Sequence, residues 1–190
     1  MDHPATTLKP DRPGTPGGAP QAGSEPAVVE RIAAYRILWG VGLAVFCFDQ
    51  LTKIWISATL SFPTYWPEEG AITVIKGFFY LVHVGNTGAA WSLFAGKSGF
   101  LALLAAITLL GIYYGRRHLG LRARQAQLAF GLLCGGIVGN FADRLIYGHV
   151  IDFLDFHFGT YIYPTFNIAD AGICTGVILY LWHSCREPVA

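Results

Sequence analysis

The chain has 190 residues, 53% of them hydrophobic and only 13% charged, and its net charge is +1. A soluble domain carries about 25% charged residues, so a soluble globule is excluded, and so small a net charge gives no basic field for nucleic acid. What remains is a small polytopic membrane protein whose few charges need explaining.

Residues 1–30 read as a disordered Pro/Gly-rich tail. Six of the ten prolines lie there, with Gly14, Gly17, Gly18 and Gly23, a composition that buries no core. No apolar run follows a basic start, so the tail does not read as a secretory signal.

Four apolar segments follow, at 32–57, 98–115, 125–141 and 168–184. Each approaches the roughly 20 residues that a bilayer-crossing helix needs. Arg31 and Arg36 precede the first, Arg116, Arg117, Arg122 and Arg124 fill the loop between the second and third, and Arg186 follows the fourth. Lys53, Lys76, Lys97 and Arg144 are spread over the longer segments on the other side. The positive-inside bias predicts cytoplasmic termini, with connections 58–97 and 142–167 facing outward.

Within those connections, 71–75 and 77–84 are rich in β-branched and aromatic residues and are expected to pair as strands. The stretch 151–163 carries Phe153, Phe156, Phe158, Tyr161 and Tyr163. It reads as a half-embedded aromatic shelf that covers the site. Gly111 and Gly115, Gly135, Gly136 and Gly139, and Gly172 and Gly176 are expected to let helices approach closely. Cys47, Cys134, Cys174 and Cys185 have no metal or redox spacing and read as small buried hydrophobes.

A charge within a span is expensive and marks function by default. Between residues 37 and 184 there are seven acids: Asp49, Glu68, Glu69, Asp143, Asp152, Asp155 and Asp170. Asp49 and Lys53 share a helical face as i and i+4, either as a neutralising pair or in contact with a ligand. Asp143 and Arg144 end the third span and read as an interfacial ion pair. Arg144 also has the planar fork that suits a carboxylate or a cluster of carbonyls.

Asp152 and Asp170 bound a connection that leaves and re-enters the same membrane face. Asn167 with Asp170 three residues on has the form of a capping box, and Asp152 alone reads as an interfacial acid. Together they form a candidate dyad. Two carboxyls at one depth in a low dielectric do not both ionise cheaply, so they share a proton. One then acts as general base on a water and the other as general acid. No HExxH or GxSxG occurs, and His149 and His157 lack a third metal ligand at recognisable spacing. A transporter using Asp49, Asp152 and Asp170 is the main alternative. Against it, the charges gather at one face and the halves look unlike. A scaffold whose polar residues only fix packing is the third reading.

Four blocks, in order, carry a family resemblance: FDQLTK at 48–53, GNTGAAW at 85–91, GGIVGNFADR at 135–144 running into GHVIDF at 148–153, and FNIAD at 166–170. On them the chain resembles signal peptidase II, the bacterial lipoprotein signal peptidase, an integral-membrane aspartic protease family. The resemblance implies an all-α polytopic fold over 31–185, with four transmembrane helices and a small extracytoplasmic sheet and helix. It places Asp152 and Asp170 in the catalytic roles. Asn86, Gly88, Gly136, Asn140, Arg144 and Asn167 match positions that support the site or contact ligand, and Asp49 and Lys53 match a supporting pair. The implied substrate is a prolipoprotein with a diacylglyceryl cysteine, cut just before that cysteine. The acyl chains stay in membrane lipid, no metal or organic cofactor is needed, and globomycin blocks the reaction. Asn86, Asn140 and Asn167 are expected to serve an extended substrate backbone that finds no water partner there; for Asn140, polar glue between helices is an equal reading. The implied location is the bacterial inner membrane, with the active site near the outer face.

Overall fold

The computed structural model describes residues 33–89, 91 and 93–186; the tail expected over 1–30 lies outside them. Among the described residues, four helices and one small sheet make up the fold. In chain order they are α1 (Arg36–Thr59), β1 (Ile72–Ile75), β2 (Phe79–Asn86), α2 (Ser98–Gly115), α3 (Arg124–Tyr147), β3 (Val150–Phe158), β4 (Tyr161–Ile162) and α4 (Ile168–Ser184). The first three helices are long and apolar enough to cross a membrane. α4, with 17 residues, is about 26 Å long.

The polarity is that of a membrane protein. Trp39, Leu43, Leu51, Leu103, Ile107, Leu110, Ile178 and Leu181 are exposed, whereas Asp49, Lys53, Gln127, Asn140, Asp143, Asp152 and Asn167 are buried. An apolar exterior suits lipid, and polar side chains turned inward satisfy one another.

Glycines set the helix contacts. α3 packs on both α1 and α4, while α2 touches α3 more lightly. A Cβ on Gly135 would lie 2.5 Å from the Gly42 carbonyl of α1, and one on Gly136 would run into the Ala169 carbonyl of α4. A Cβ on Gly176 would lie 2.6 Å from the Ala129 carbonyl of α3. The expected close approach holds there but not in α2. Gly111 meets nothing and Gly115 meets only Leu119, because α2 stands largely off the bundle. Gly135→Val is therefore expected to lower stability by about 1–3 kcal/mol or more, the range for overpacking. Thermal unfolding in detergent measures it; an unchanged midpoint would count against this packing.

Two sequence expectations need correction. The third span does not stop near residue 141: α3 runs on to Tyr147, so Asp143 and Arg144 lie within the helix. Cys47, Cys174 and Cys185 are exposed and Cys134 is half-buried. On a lipid-facing surface a small hydrophobe belongs outside as well as inside. The aromatic shelf expected over 151–163 is built of strands. It forms β3 and β4 of an antiparallel sheet in the order β1-β2-β3-β4.

In that sheet β2 and β3 pair along most of their length, with Tyr80 opposite Asp155 and Val84 opposite Asp152. Phe79 stacks on Phe156 with centroids 4.4 Å apart, and Phe156 stacks in turn on Phe166. The expected pairing of 71–75 with 77–84 is present as β1 and β2. Phe153 packs with Ile56 and Leu60, which fastens the sheet to the end of α1. The strand carrying Asp152 is thereby held over the helix ends.

Candidate active site

Asp152 sits on β3, four residues after the Gly148 that ends α3 in a left-handed conformation. Asp170 sits in the first turn of α4, where Asn167 and Asp170 form the expected capping box. Asn167 joins the two. Its Nδ2 donates to Asp152 Oδ1 at 2.7 Å. Its backbone N–H donates to Asp170 Oδ2 at 3.2 Å, and its Oδ1 accepts from the Asp170 N–H at 2.9 Å. Asn86 Nδ2 donates to Asp152 Oδ2 at 3.0 Å, and Asn140 Nδ2 donates to Asp170 Oδ1 at 2.7 Å. All four carboxyl oxygens are thus held. Burial and then the neighbouring Asp170 charge push the Asp152 carboxyl up to about 7, against the hydrogen bonds of Asn86 and Asn167 and the charge of Lys53.

Beneath the aspartates lies a buried ionic cluster. Lys53 Nζ is 2.8 Å from Asp49 Oδ2 and 2.7 Å from Asp143 Oδ2. It also donates to Asn140 Oδ1 at 3.2 Å. Gln50 Nε2 bridges the same two carboxylates at 3.1 and 3.0 Å. Each carboxylate then reaches the chain next to one central aspartate. Asp49 Oδ1 accepts from the Ala169 N–H at 2.9 Å, one residue before Asp170. Asp143 Oδ2 accepts from the Ile151 N–H at 3.1 Å, one residue before Asp152. One lysine thus fixes two carboxylates that fix two strand-and-helix starts. Gly139 makes room: a Cβ there would lie 2.5 Å from Asp49 Oδ2.

Arg144 points the other way. It donates to the Gly88 carbonyl at 2.9 Å and to the Asn140 carbonyl at 3.3 Å. Its fork therefore serves carbonyls, and the expected Asp143–Arg144 ion pair is absent. Adjacent residues on a helix diverge by about 100°, so one neighbour faces Lys53 and the other faces the β2 exit. Gly88 is confined: a Cβ there would lie 2.7 Å from the Leu93 carbonyl.

A cavity of about 560 Å³ opens beside these groups. Leu101, Leu104, Ala105 and Thr108 of α2 form one wall, and Ile137, Asn140 and Arg144 of α3 another. Asp170, Ala171, Ile173 and Cys174 of α4 close it, under Asn86, Gly88 and Trp91 on one side and the 163–166 segment on the other. Asp170 lines this cavity, while Asp152 is only 2% exposed behind its asparagines. Of the five aromatics expected to cover the site only Tyr163 borders it; Trp91 and Phe166 do the rest.

The structure brings all ten sequence-predicted residues into one region. Asn86, Asn140 and Asn167 all bond to the aspartates, and Asn140 also bonds to Asn167 and Lys53, as polar glue between helices would. Gly136 serves helix contact. Asp143, Gln50 and Gly139 were missed as site residues. The 3–4-residue spacing of Gly136, Gly139, Asn140 and Asp143 was the available signal, since it lays them along one face. His149 stacks on Phe62 and His157 pairs with Asp155, so the two are not brought to one point. Among the described residues no group of three His, Cys, Asp or Glu is placed to hold a metal.

Comparison with known proteins decides the family. The model of the family described as Signal peptidase (SPase) II matches residues 41–186. The chain belongs to the signal peptidase II family. The lipoprotein signal peptidase of Burkholderia vietnamiensis (strain G4 / LMG 22486) is 42% identical over 153 residues, covering 78% of this chain and 87% of that protein. The lipoprotein signal peptidase of Bacillus pumilus (strain SAFR-032) is 39% identical over 140 residues, covering 73% and 86%. A solved bacterial membrane enzyme, determined by the in meso method at 2.3 Å, superposes with a TM-score of 0.68 at 31% identity, covering 79% of this chain and 92% of that one. Signal peptidase II is a protease family, and with three membrane-length helices this bacterial member is an inner-membrane hydrolase.

One more group belongs to this signal peptidase II site. The 163–166 segment that borders the cavity is tied to β3: Thr165 Oγ1 donates to Asp155 Oδ1 at 3.2 Å, and His157 Nε2 lies 2.6 Å from Asp155 Oδ2. Phe166 exchanges backbone hydrogen bonds with Leu154 just before Asn167. Asp155→Ala leaves Thr165 and His157 without their acceptor, a loss of about 1–3 kcal/mol confined to the cavity wall. KM for the peptide substrate is expected to rise more than kcat falls. Steady-state cleavage kinetics read the split; a fall in kcat alone would contradict this placement.

Proposed function

We propose that this chain is an aspartic endopeptidase that removes the signal peptide from diacylglyceryl-modified prolipoproteins, cutting just before the lipidated cysteine. The single observation that carries the reading is Asn167, which holds a buried aspartate on a strand and a second aspartate on a helix at the mouth of an apolar cavity. Asp152 and Asp170 share one proton, and the proton belongs to the pair. The ionised carboxyl draws a proton from water as it adds to the scissile carbonyl. The protonated carboxyl donates to that carbonyl, and a proton then passes to the leaving nitrogen. Asn86, Asn140 and Asn167 orient the carboxyls, Arg144 and Gly88 set the cavity rim, and Gly136 lets α4 sit close. The apolar walls from α2 and α4 suit a lipid-modified substrate, whose acyl chains extend into the bilayer. A globomycin-like cyclic peptide would occupy the same cavity.

The proposed topology has four spans, with α4 as the shortest, over a membrane domain of residues 31–185. Both termini are cytoplasmic and the dyad lies near the outer face. The arginines at the far end from the sheet support this sidedness. The deciding experiment presents purified protein with a prolipoprotein with and without diacylglycerol on its cysteine. Cleavage confined to the lipidated form, and lost in the aspartate variants, supports the reading. Cleavage that survives either aspartate substitution overturns it. An impermeant thiol probe on an introduced cysteine at Arg122 tests sidedness; labelling from outside would refute it.

A further inference from the structure

We propose that the arginine-bearing end of the bundle is a preorganised surface for the phosphodiester headgroups of anionic phospholipids. Arg36 at the start of α1, Arg117, Arg122 and Arg124 around the α2–α3 loop, and Arg186 after α4 are all exposed, and Arg116 is half-buried. In the sequence the flanking segments add Arg31 against Glu30 and Glu187. None of the seven acids among the described residues lies at this end. The opposite end is balanced, with Lys76 and Lys97 against Glu68 and Glu69.

The backbone that carries the arginines of the α2–α3 loop is held in place by the fold. Leu121, 2% exposed, is buried with Leu38, Ala126 and Phe130, and Leu119 packs on the same cluster. Gly120, at a φ of +63°, makes the turn between them. Gln127 ties the loop to α1: its Nε2 donates to the Ala34 carbonyl at 2.9 Å and to the Arg122 carbonyl at 3.4 Å, and its Oε1 accepts from the Ile37 N–H at 3.2 Å. The loop's leucines face the core and its arginines face out, so little backbone ordering remains when anions bind.

The aromatic neighbours identify a lipid. Arg116 lies 4.6 Å over the Tyr113 ring and Arg186 4.1 Å over the Trp182 ring. Tyr113, Tyr114 and Trp182 are exposed on the same turns, as at a headgroup boundary. A phosphate that reaches these arginines beside lipid-facing helices arrives with acyl chains attached. Each arginine at such an interface is worth about fivefold in lipid partition. The surface rests on the membrane embedding of the helices and not on the roles of the aspartates, so lipid selectivity and cleavage fail separately.

The test is native mass spectrometry of the full chain released from nanodiscs of equal phosphatidylglycerol and phosphatidylcholine. The wild type is expected to retain phosphatidylglycerol selectively. Arg117→Gln/Arg122→Gln/Arg124→Gln loses that preference, the matching lysine substitutions keep most of it, and Lys76→Gln/Lys97→Gln leaves it unchanged. Equal selectivity in the triple glutamine variant would overturn the proposal, as would displacement of the retained lipid by excess inorganic phosphate. If the triple variant does not fold, the wild type decides: selectivity must fall as salt rises, and a salt-independent preference overturns the surface.

Discussion

Asp152→Asn and Asp170→Asn are each expected to reduce cleavage of a lipidated prolipoprotein by about 10²–10⁴-fold while the protein stays folded. The side chain keeps its shape, but an amide neither accepts a proton from water nor shares one with its neighbour. At Asp152 the amide must face Asn167 or Asn86 with its NH2 group, since both offer donors; that mismatch is worth about 1 kcal/mol. The pH dependence separates catalysis from scaffolding. The Asp152 carboxyl, raised from 3.8 to about 7, holds its proton in the folded state over a range where the unfolded chain has released it. The folded state binds more protons there, so this group's contribution to stability falls as pH rises from about 4 to about 7. Asp152→Asn removes that slope, and its melting temperature should decline less than the wild type's over the same window. Cleavage by the wild type should fall above about pH 7, as the pair loses its proton. A scaffold role predicts the reverse pattern, with unfolding of the variants and intact turnover in whatever remains folded.

Lys53→Met is expected to be the most destabilising single change. It leaves Asp49 and Asp143, both 0% exposed, facing each other with only Gln50 between them. Removing one partner from a buried ionic group is worth about 3–5 kcal/mol, and here two carboxylates lose the same cation. Adding Asp49→Asn and Asp143→Asn should restore most of the stability, because the charges go while an oxygen remains for the Ala169 and Ile151 N–H groups. Thermal unfolding of the single and triple variants measures this. A single variant as stable as the wild type would mean the cluster is not an ionic one. Asp143→Ala should lower kcat as well, since the chain entering Asp152 loses its anchor.

The sequence was most legible where lipid and chemistry agree. Scarcity of charge made seven acids stand out. Asp49 and Lys53, four residues apart, had to share a helix face, and they do. Asn167 and Asp170 had the spacing of a capping box, and they form one. The apolar run of the third span stops near residue 141, but the helix does not. Hydrogen bonding between turns carried the helix to Tyr147, and Asp143 came to face Lys53. For the asparagines the sequence shows only polar side chains in or beside apolar stretches; the fold adds that Asn86, Asn140 and Asn167 lie within hydrogen-bond reach of two buried carboxyls.

By itself the sequence determined the membrane setting, the apolar helices, the strand pairing and the candidate aspartates, Asp152 and Asp170. Those follow from composition and from periods of two and 3.6 residues, which local physics imposes. Only the tertiary structure decided which carboxyl holds which. Asp49 meets Ala169 across 120 positions of chain and Lys53 meets Asn140 across 87. Such pairings depend on glycines letting α3 approach both α1 and α4, a property of three helices together. Three of the few charges that excluded a soluble protein, Asp49, Lys53 and Asp143, are in the folded chain the parts that anchor the residues beside Asp152 and Asp170.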